Sequence, residues 1–234
     1  MQILTNVTDG WQTIQITEAD PDQRAALAEL GHAADVVHRY PPGTLYVEHA
    51  VANLWRTLDD MVRQKIDKTT ADWRAAFRDL LGRAEKARIP FAVVGSVALA
   101  VRGVDICPGD VDVLTTTEGA DALGESYRDV LVVPVATEPG FGRWGRAFTG
   151  GIRVEWLGTP TAVQEGPWPL AAADWSVASP FDEVSWEDQT LRVPPLELQR
   201  QVEVHRQRPD RVAAIDEYRR TRGRPRPGAG GAVP

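Results

Sequence analysis

The stretch Phe91–Thr116, FAVVGSVALAVRGVDICPGDVDVLTT, decides the fold of this 234-residue chain. FAVV is a short apolar run of the kind that forms a buried strand. It meets Gly95-Ser96, passes through a brief helical segment, SVALAVRG, and returns as a second strand, DVDVLTT. Residues two apart on a strand share a face. Asp110 and Asp112 therefore project together, while Val111 and Val113 turn toward the core. Two carboxylates side by side repel, and each is driven toward protonation unless a cation neutralises it. Taken alone, an Asp-x-Asp pair is read most simply as a solvated edge pair, or as one aspartate capping the next turn.

The surroundings change that reading. A turn from strand to helix at Gly95-Ser96 offers free backbone N–H groups and a positive dipole end to phosphate oxygens. Glycine permits close approach, and the serine hydroxyl adds a donor. Downstream, Glu155 interrupts the apolar run IRVEWL as the aspartates interrupt theirs. Arg153 and Glu155 share one face of that strand, with Ile152, Val154 and Trp156 on the other. Three acids, each central in an apolar strand, suit a hard divalent cation with oxygen ligands, and magnesium suits one or two carboxylates plus substrate phosphates.

Working outward, strands and helices alternate at a pace that predicts a layered α+β or α/β domain. QILTNV and WQTIQIT around Asp9-Gly10 predict a hairpin. Asp20-Pro21 opens a helix expected to run through Leu30 and Val37, and a second begins at Thr44. A third follows with Thr70 as its N-cap and ends at Pro90. FDEVSWEDQTLRVPP predicts a hairpin turning near Asp188-Gln189, and two helices close the chain, over Pro195–Arg206 and about Pro209–Arg220. This divides the chain into an N-terminal extension over 1–68, a main domain over 69–220 and a Gly/Pro-rich tail, 221–234, expected to be disordered. The extension is expected to act as a lid or a dimer contact. His32, His38 and His49 are too scattered to suggest a metal site, so packing or surface roles are expected. Of Trp144, Trp156, Trp168, Trp175 and Trp186, most are expected in the core, Trp156 pointing inward by strand alternation.

VVGSVALAVRGVDICPGDVDVLT with the later VEW resembles the DNA polymerase beta-like nucleotidyltransferases. Their pattern is a hydrophobic residue, Gly-[Gly/Ser], a spacer, Asp-x-[Asp/Glu], then a third acid on a later strand. The small branch containing lincosamide and aminoglycoside nucleotidyltransferases is the most similar, over about Trp73 to Arg211, including PPLELQRQVEVHRQRPDRVAAI. The resemblance implies a nucleotidyltransferase-like mixed sheet flanked by helices, an α+β fold with the N-terminal hairpin and helices as an addition. It implies that Asp110 and Asp112 bind two magnesium ions and that Gly95 and Ser96 hold the triphosphate of an NTP, ATP foremost. Glu155 would be the third acid, completing the metal site or acting as general base. Relatives often carry an arginine shortly before the aspartate pair; here DICPG fills that place, and Arg102 is the nearest upstream candidate for nucleotide binding. Where relatives often carry a lysine in the closing helices, this chain offers His205, Arg208 or Arg211.

The net charge of −7 argues against a surface built to hold a polyanion. From Arg200 to Arg226 there are nine arginines against four acids, so the remainder is strongly acidic. A small cationic acceptor of the aminoglycoside type is therefore favoured over nucleic acid. Two other functions stay open: a toxin-like or regulatory nucleotidyltransferase acting on tRNA or protein, and a non-catalytic module that keeps the fold to bind a nucleotide or a partner. A single cysteine, Cys107, excludes an internal disulfide and is expected to be partly buried. No run is apolar enough to span a bilayer, and the start lacks the character of a signal peptide. The expected compartment is the cytoplasm, with a homodimer as the expected assembly if the extension makes contacts between copies.

Overall fold

Strand alternation, helix caps and Gly/Pro punctuation place the elements in a computed structural model that describes residues 1–30, 32, 34–67, 72–138, 142–158 and 181–222. The expected tail from 223 onward, Thr70, Trp168 and Trp175 lie outside the described residues. The chain opens with β1 (Gln2–Thr8) and β2 (Trp11–Thr17), an antiparallel hairpin turning at Asp9-Gly10 as expected. Helix α1 (Pro21–Glu29) begins where a capping box makes beginning cheap: Asp20 accepts from the Gln23 N–H, the Gln23 side chain reaches back, and Pro21 fixes the first φ. It stops well before Val37, where a continuing helix was expected. Residues Val37–Tyr40 form β3 instead, because β2 offers them an antiparallel edge. Helix α2 (Val47–Ile66) follows, starting after Thr44. Tyr46 precedes it with a left-handed backbone, and Thr44 is engaged in a turn with the Pro41 carbonyl.

Helix α3 (Trp73–Ala87) is capped by Asp72, which accepts from the Arg74 N–H, and it buries Trp73, Phe77, Leu80, Leu81 and Ala84 at helical spacing. Then come β4 (Phe91–Val94), α4 (Gly95–Arg102), β5 (Asp110–Thr115), α5 (Thr117–Ser126), β6 (Leu131–Glu138), β7 (Gly142–Thr149) and β8 (Ile152–Gly158). After the undescribed 159–180, β9 (Asp182–Trp186) and β10 (Gln189–Val193) form a hairpin, and α6 (Leu196–His205) and α7 (Pro209–Arg222) close the order. The main sheet runs β4-β5-β8-β7-β6. Among the described residues of this sheet only β5 and β8 pair in parallel, so the sheet is mixed. Pro134 lies in the edge strand β6, where register shifts flank it and a missing N–H is tolerated.

The two faces of this sheet have different jobs. One packs Val93, Val111, Val113, Ala147, Val154 and Trp156 against α3, α4 and α5. Trp156 is 1% exposed and stacks on Tyr127, as alternation required. The opposite face carries Asp110, Asp112, Arg153, Glu155 and Arg146. At its β6–β7 end this face is covered by the N-terminal elements, whose Ile14, Ile16, Leu27, Leu54, Leu58 and Met61 share a core with Val132, Ala136 and Phe148. Full burial of side chains this size contributes roughly 1.5–3 kcal/mol each, so the extension is built onto the sheet by a core of its own. Cys107 is exposed, contrary to expectation, because it lies in the irregular segment between α4 and β5.

Candidate active site

The site begins at the one position in the β4–α4 turn that has no side chain. Gly95 has φ +62°, and a Cβ built there would lie 2.5 Å from Asp112 Oδ2. The turn and strand β5 therefore touch through a contact only glycine allows. Ser96, buried in the first turn of α4, donates its hydroxyl to Asp110 Oδ1 at 3.4 Å. Gly95, Ser96, Asp110 and Asp112 thus form one cluster.

Sheet register carries the cluster across the face. Asp110 lies opposite Arg153 and Asp112 opposite Glu155 in the parallel pair, while Glu155 lies opposite Arg146 in the antiparallel one. Arg153 bridges two acids, with Nη2 2.9 Å from Asp110 Oδ2 and Nη1 3.1 Å from Glu155 Oε1. Arg146 brings Nε to 3.0 Å from the same Glu155 oxygen. That is an ion pair by distance only, since the Nε–H is not aligned on a hydrogen-bond acceptor. Arg146 also donates through Nη1 to the Leu30 carbonyl at the end of α1, which ties the N-terminal elements to the site.

Electrostatics follow from this packing. Burial first, then the neighbouring Asp110 and Glu155, push the Asp112 carboxyl well above the usual carboxylate range, while Arg153 and Arg206 pull it back. Asp112 is the group that most needs a further cation. Burial likewise works against the charge of Arg146, and Glu155 supports it. His32, 5% exposed, is held well below the ordinary imidazole value by burial, then by Arg146, His38 and Arg153. It stays neutral beside the guanidinium pair.

A paired aspartate set on one strand face, with Asp112 pushed toward protonation by burial and by its acidic neighbours, fits magnesium with phosphate oxygens completing the shell. The expected third ligand is placed differently. Glu155 is adjacent, but its Oε1 is shared between two guanidiniums, and among the described residues no group of three acidic, thiol or imidazole side chains is arranged to hold a metal. Arg153 supplies a positive charge at the place where the three acids were expected to share ions.

Arg102, expected to bind nucleotide, is not brought into this cluster. It ends α4, the opposite end from Gly95, and its guanidinium is held by Asp182 at 2.6 Å and by the Pro194 carbonyl. The physical reason is that the β9–β10 hairpin packs beside α4 and offers Arg102 a carboxylate and a carbonyl where it ends. Arg208 and Arg211 lie beside the buried Glu203, at 3.8 and 3.5 Å. The cation sequence reasoning missed is Arg206, the exposed C-cap of α6, which lines a small cavity with Gly95 and acts on Asp112. Gln199 was missed too: it is buried, and its Nε2 donates to the Gly95 carbonyl at 3.3 Å. Neither position carries a local signal, since each is placed by the packing of α6 against α4.

No protein-family model matches the chain, and no curated protein matches it. Solved structures are similar to it in fold. One is a Thermotoga maritima protein assigned as a nucleotidyltransferase, at 19% identity and TM-score 0.45, covering 64% of this chain and 93% of that one. The lincosamide antibiotic adenylyltransferase LnuA with lincomycin bound is similar at 12% identity and TM-score 0.41, covering 56% and 85%. ANT(2″)-Ia in complex with adenylyl-2″-tobramycin is similar at 13% identity and TM-score 0.39, covering 64% and 98%.

Proposed function

We propose that this chain is an enzyme that transfers a nucleoside monophosphate from a nucleoside triphosphate, ATP foremost, to a hydroxyl of a small cationic acceptor of the aminoglycoside type. The single observation that carries the reading is the contact of Asp112 with Gly95, which makes the paired aspartates and the phosphate-suited turn one site. Asp110 and Asp112 hold magnesium, two ions in this reading, which supplies charge neutralisation for the triphosphate and for the attacking oxygen. Backbone N–H groups at the start of α4 hold phosphate oxygens, the Ser96 hydroxyl joins them once it turns from Asp110, and Arg206 lines the same turn as a further cation. The acceptor oxygen bonds to the α-phosphorus as the bond from that phosphorus to its bridging oxygen breaks. Pyrophosphate leaves with the bridging oxygen, and the hydroxyl proton passes to solvent or to a carboxylate of the site. Positioning and charge neutralisation carry most of such a rate, because little covalent chemistry is left to the protein.

Glu155 keeps Arg146 and Arg153 in place beside the aspartates. To act as third ligand or general base it would first have to give up Arg153. The net charge of −7 favours the cationic acceptor, and a cytoplasmic location completes the reading. The test is incubation with NTPs labelled at the α-phosphate, magnesium, and panels of aminoglycosides, tRNA and protein. Label on an aminoglycoside is the expected result. Label on tRNA or protein would move the acceptor to the alternative class. Absence of both transfer and magnesium-dependent nucleotide binding would end the enzymatic reading.

A further inference from the structure

The three-stranded N-terminal sheet runs β1-β2-β3 and leaves β1 as an edge. Its hairpin turns through Asp9 at φ +51° and Gly10 at φ +78°, both left-handed, between the flanking pair Thr8 and Trp11. That is a type I′ turn, in which the Thr8 carbonyl accepts from the Trp11 N–H. Bonded and non-bonded positions alternate along an antiparallel strand. Gln2, Leu4, Asn6 and Thr8 therefore direct their backbone groups to β2. Ile3, Thr5 and Val7 direct theirs outward, where no described strand pairs with them. The other sheet edges among the described residues are guarded. Strand β3 has four residues and carries Arg39, and β6 carries Pro134 and register shifts. Strand β9 opens on Asp182-Glu183, β10 holds Arg192, and β4 packs beside β10. Strand β1 has none of these guards: its seven residues, QILTNVT, include no charge and no proline, and all but Ile3 are exposed.

We infer that β1 is a self-association edge, on which a second copy of this chain adds its own β1 antiparallel across a two-fold axis at Thr5. A register that keeps each face continuous pairs odd residues with odd, and centring it on Thr5 uses the whole strand. Thr5 then lies opposite Thr5 of the second copy, and Ile3 opposite Val7. These are the positions whose backbone groups already point outward. The axis stands perpendicular to the sheet, so Ile3, Thr5 and Val7 of both copies share the face on which α2 packs. A groove of about 390 Å³ opens there, lined by Thr5, Val7, Gln12, Val51 and Trp55 among others, with Val7 64% and Trp55 53% exposed. Pairing gives Val7 an isoleucine neighbour and sets the two grooves on either side of the axis. Charge selects the partner. Two chains of net charge −7 repel, and an uncharged strand is where they meet with no like charges opposite one another. Along that strand a basic or acidic peptide finds no counter-charge. The strand supplies seven residues a side against roughly 20–30 in a standard interface, so the dimer is small and concentration-dependent rather than obligate.

The test is sedimentation of the full chain from about 1 to 500 µM, where a monomer–dimer equilibrium is expected. Thr5→Pro removes an N–H that β2 does not use, a change an edge strand tolerates. Thr5→Lys sets like charges opposite each other across the axis, while in the monomer its side chain stays in water. Each is expected to weaken dimerisation about tenfold or more, with the circular-dichroism spectrum of the monomer unchanged. The register has its own readout. Thr5→Cys in a Cys107→Ser chain forms a disulfide-linked dimer on oxidation with diamide, because facing Cα atoms lie about 5.5 Å apart. Thr8→Cys in the same chain does not, since it faces Gln2 and lies about 20 Å along the strand from its own copy. A chain that stays monomeric across the range overturns the inference and leaves the edge to a different chain. A dimer that both Thr5→Pro and Thr5→Lys leave intact overturns it too, as does one that Thr8→Cys cross-links as readily as Thr5→Cys.

Discussion

Replacing Gly95 by alanine separates a site that depends on one close contact from a fold that does not. The structure sets two costs. At φ +62° an L side chain is strained, which is worth about 1–2 kcal/mol. The new Cβ would also lie 2.5 Å from Asp112 Oδ2, so the carboxylate must retreat by about 0.9 Å to reach ordinary contact. Strain of that size lowers the melting temperature of a chain this long by roughly 2–8 °C, leaving the protein folded at 25 °C. A misplacement near 1 Å at a reacting centre costs on the order of 100-fold in rate. The assay is magnesium-dependent transfer and nucleotide affinity at 25 °C beside a thermal melt. A Gly95→Ala protein that melts a few degrees early yet keeps full nucleotide affinity and rate would refute the claim that Gly95 and Asp112 act as one site.

Three further outcomes follow from the same geometry. Asp112 has a raised carboxyl value in the folded state, so the native state holds the extra proton above the unfolded value near 3.8, and stability falls as pH rises from there through the folded value. Asp112→Asn therefore raises the neutral-pH melting temperature of the metal-free protein while abolishing its response to magnesium; a metal-free melt unchanged or lowered would contradict the electrostatic account. His32 has the opposite sign: its folded value lies below 6.5, so the unfolded chain takes up protons first and stability declines as pH falls below that value. The slope is at most about 1.4 kcal/mol per pH unit, and urea midpoints at pH 7.5 and 5.5 should differ less in His32→Phe. Arg102→Ala removes the ties to Asp182 and Pro194, costing about 1–3 kcal/mol through the carbonyl and carboxylate left unpaired. Nucleotide affinity should stay within twofold of wild type, whereas a phosphate-binding role would lower it at least tenfold.

Much of this architecture is legible in the chain because local chemistry and global packing agree. The Asp9-Gly10 turn, the Val111/Val113 against Asp110/Asp112 alternation and the inward Trp156 each follow from period-two patterning. The misplaced helix end near Val37 shows the limit, since whether a short apolar segment becomes helix or strand depends on an edge supplied by β2. The site divides in the same way. Gly95, Ser96, Asp110 and Asp112 lie within one short stretch, so spacing predicts their company. Arg146 reaches the Leu30 carbonyl and Gln199 the Gly95 carbonyl across more than a hundred residues of chain. Arg102 is the converse: near the motif in sequence, yet carried one helix length away from it, about 10 Å at 1.5 Å per residue.

The central claim is that Asp110 and Asp112 share one cation-bound triphosphate with the Gly95-Ser96 turn. A crystal structure with manganese and a non-hydrolysable nucleoside triphosphate tests it most directly. The account predicts anomalous density in coordination contact with both aspartates and phosphate oxygens on the backbone of residues 95 and 96, with Arg153 withdrawn from Asp110. Manganese bound elsewhere, or a triphosphate seated away from that turn, would contradict it.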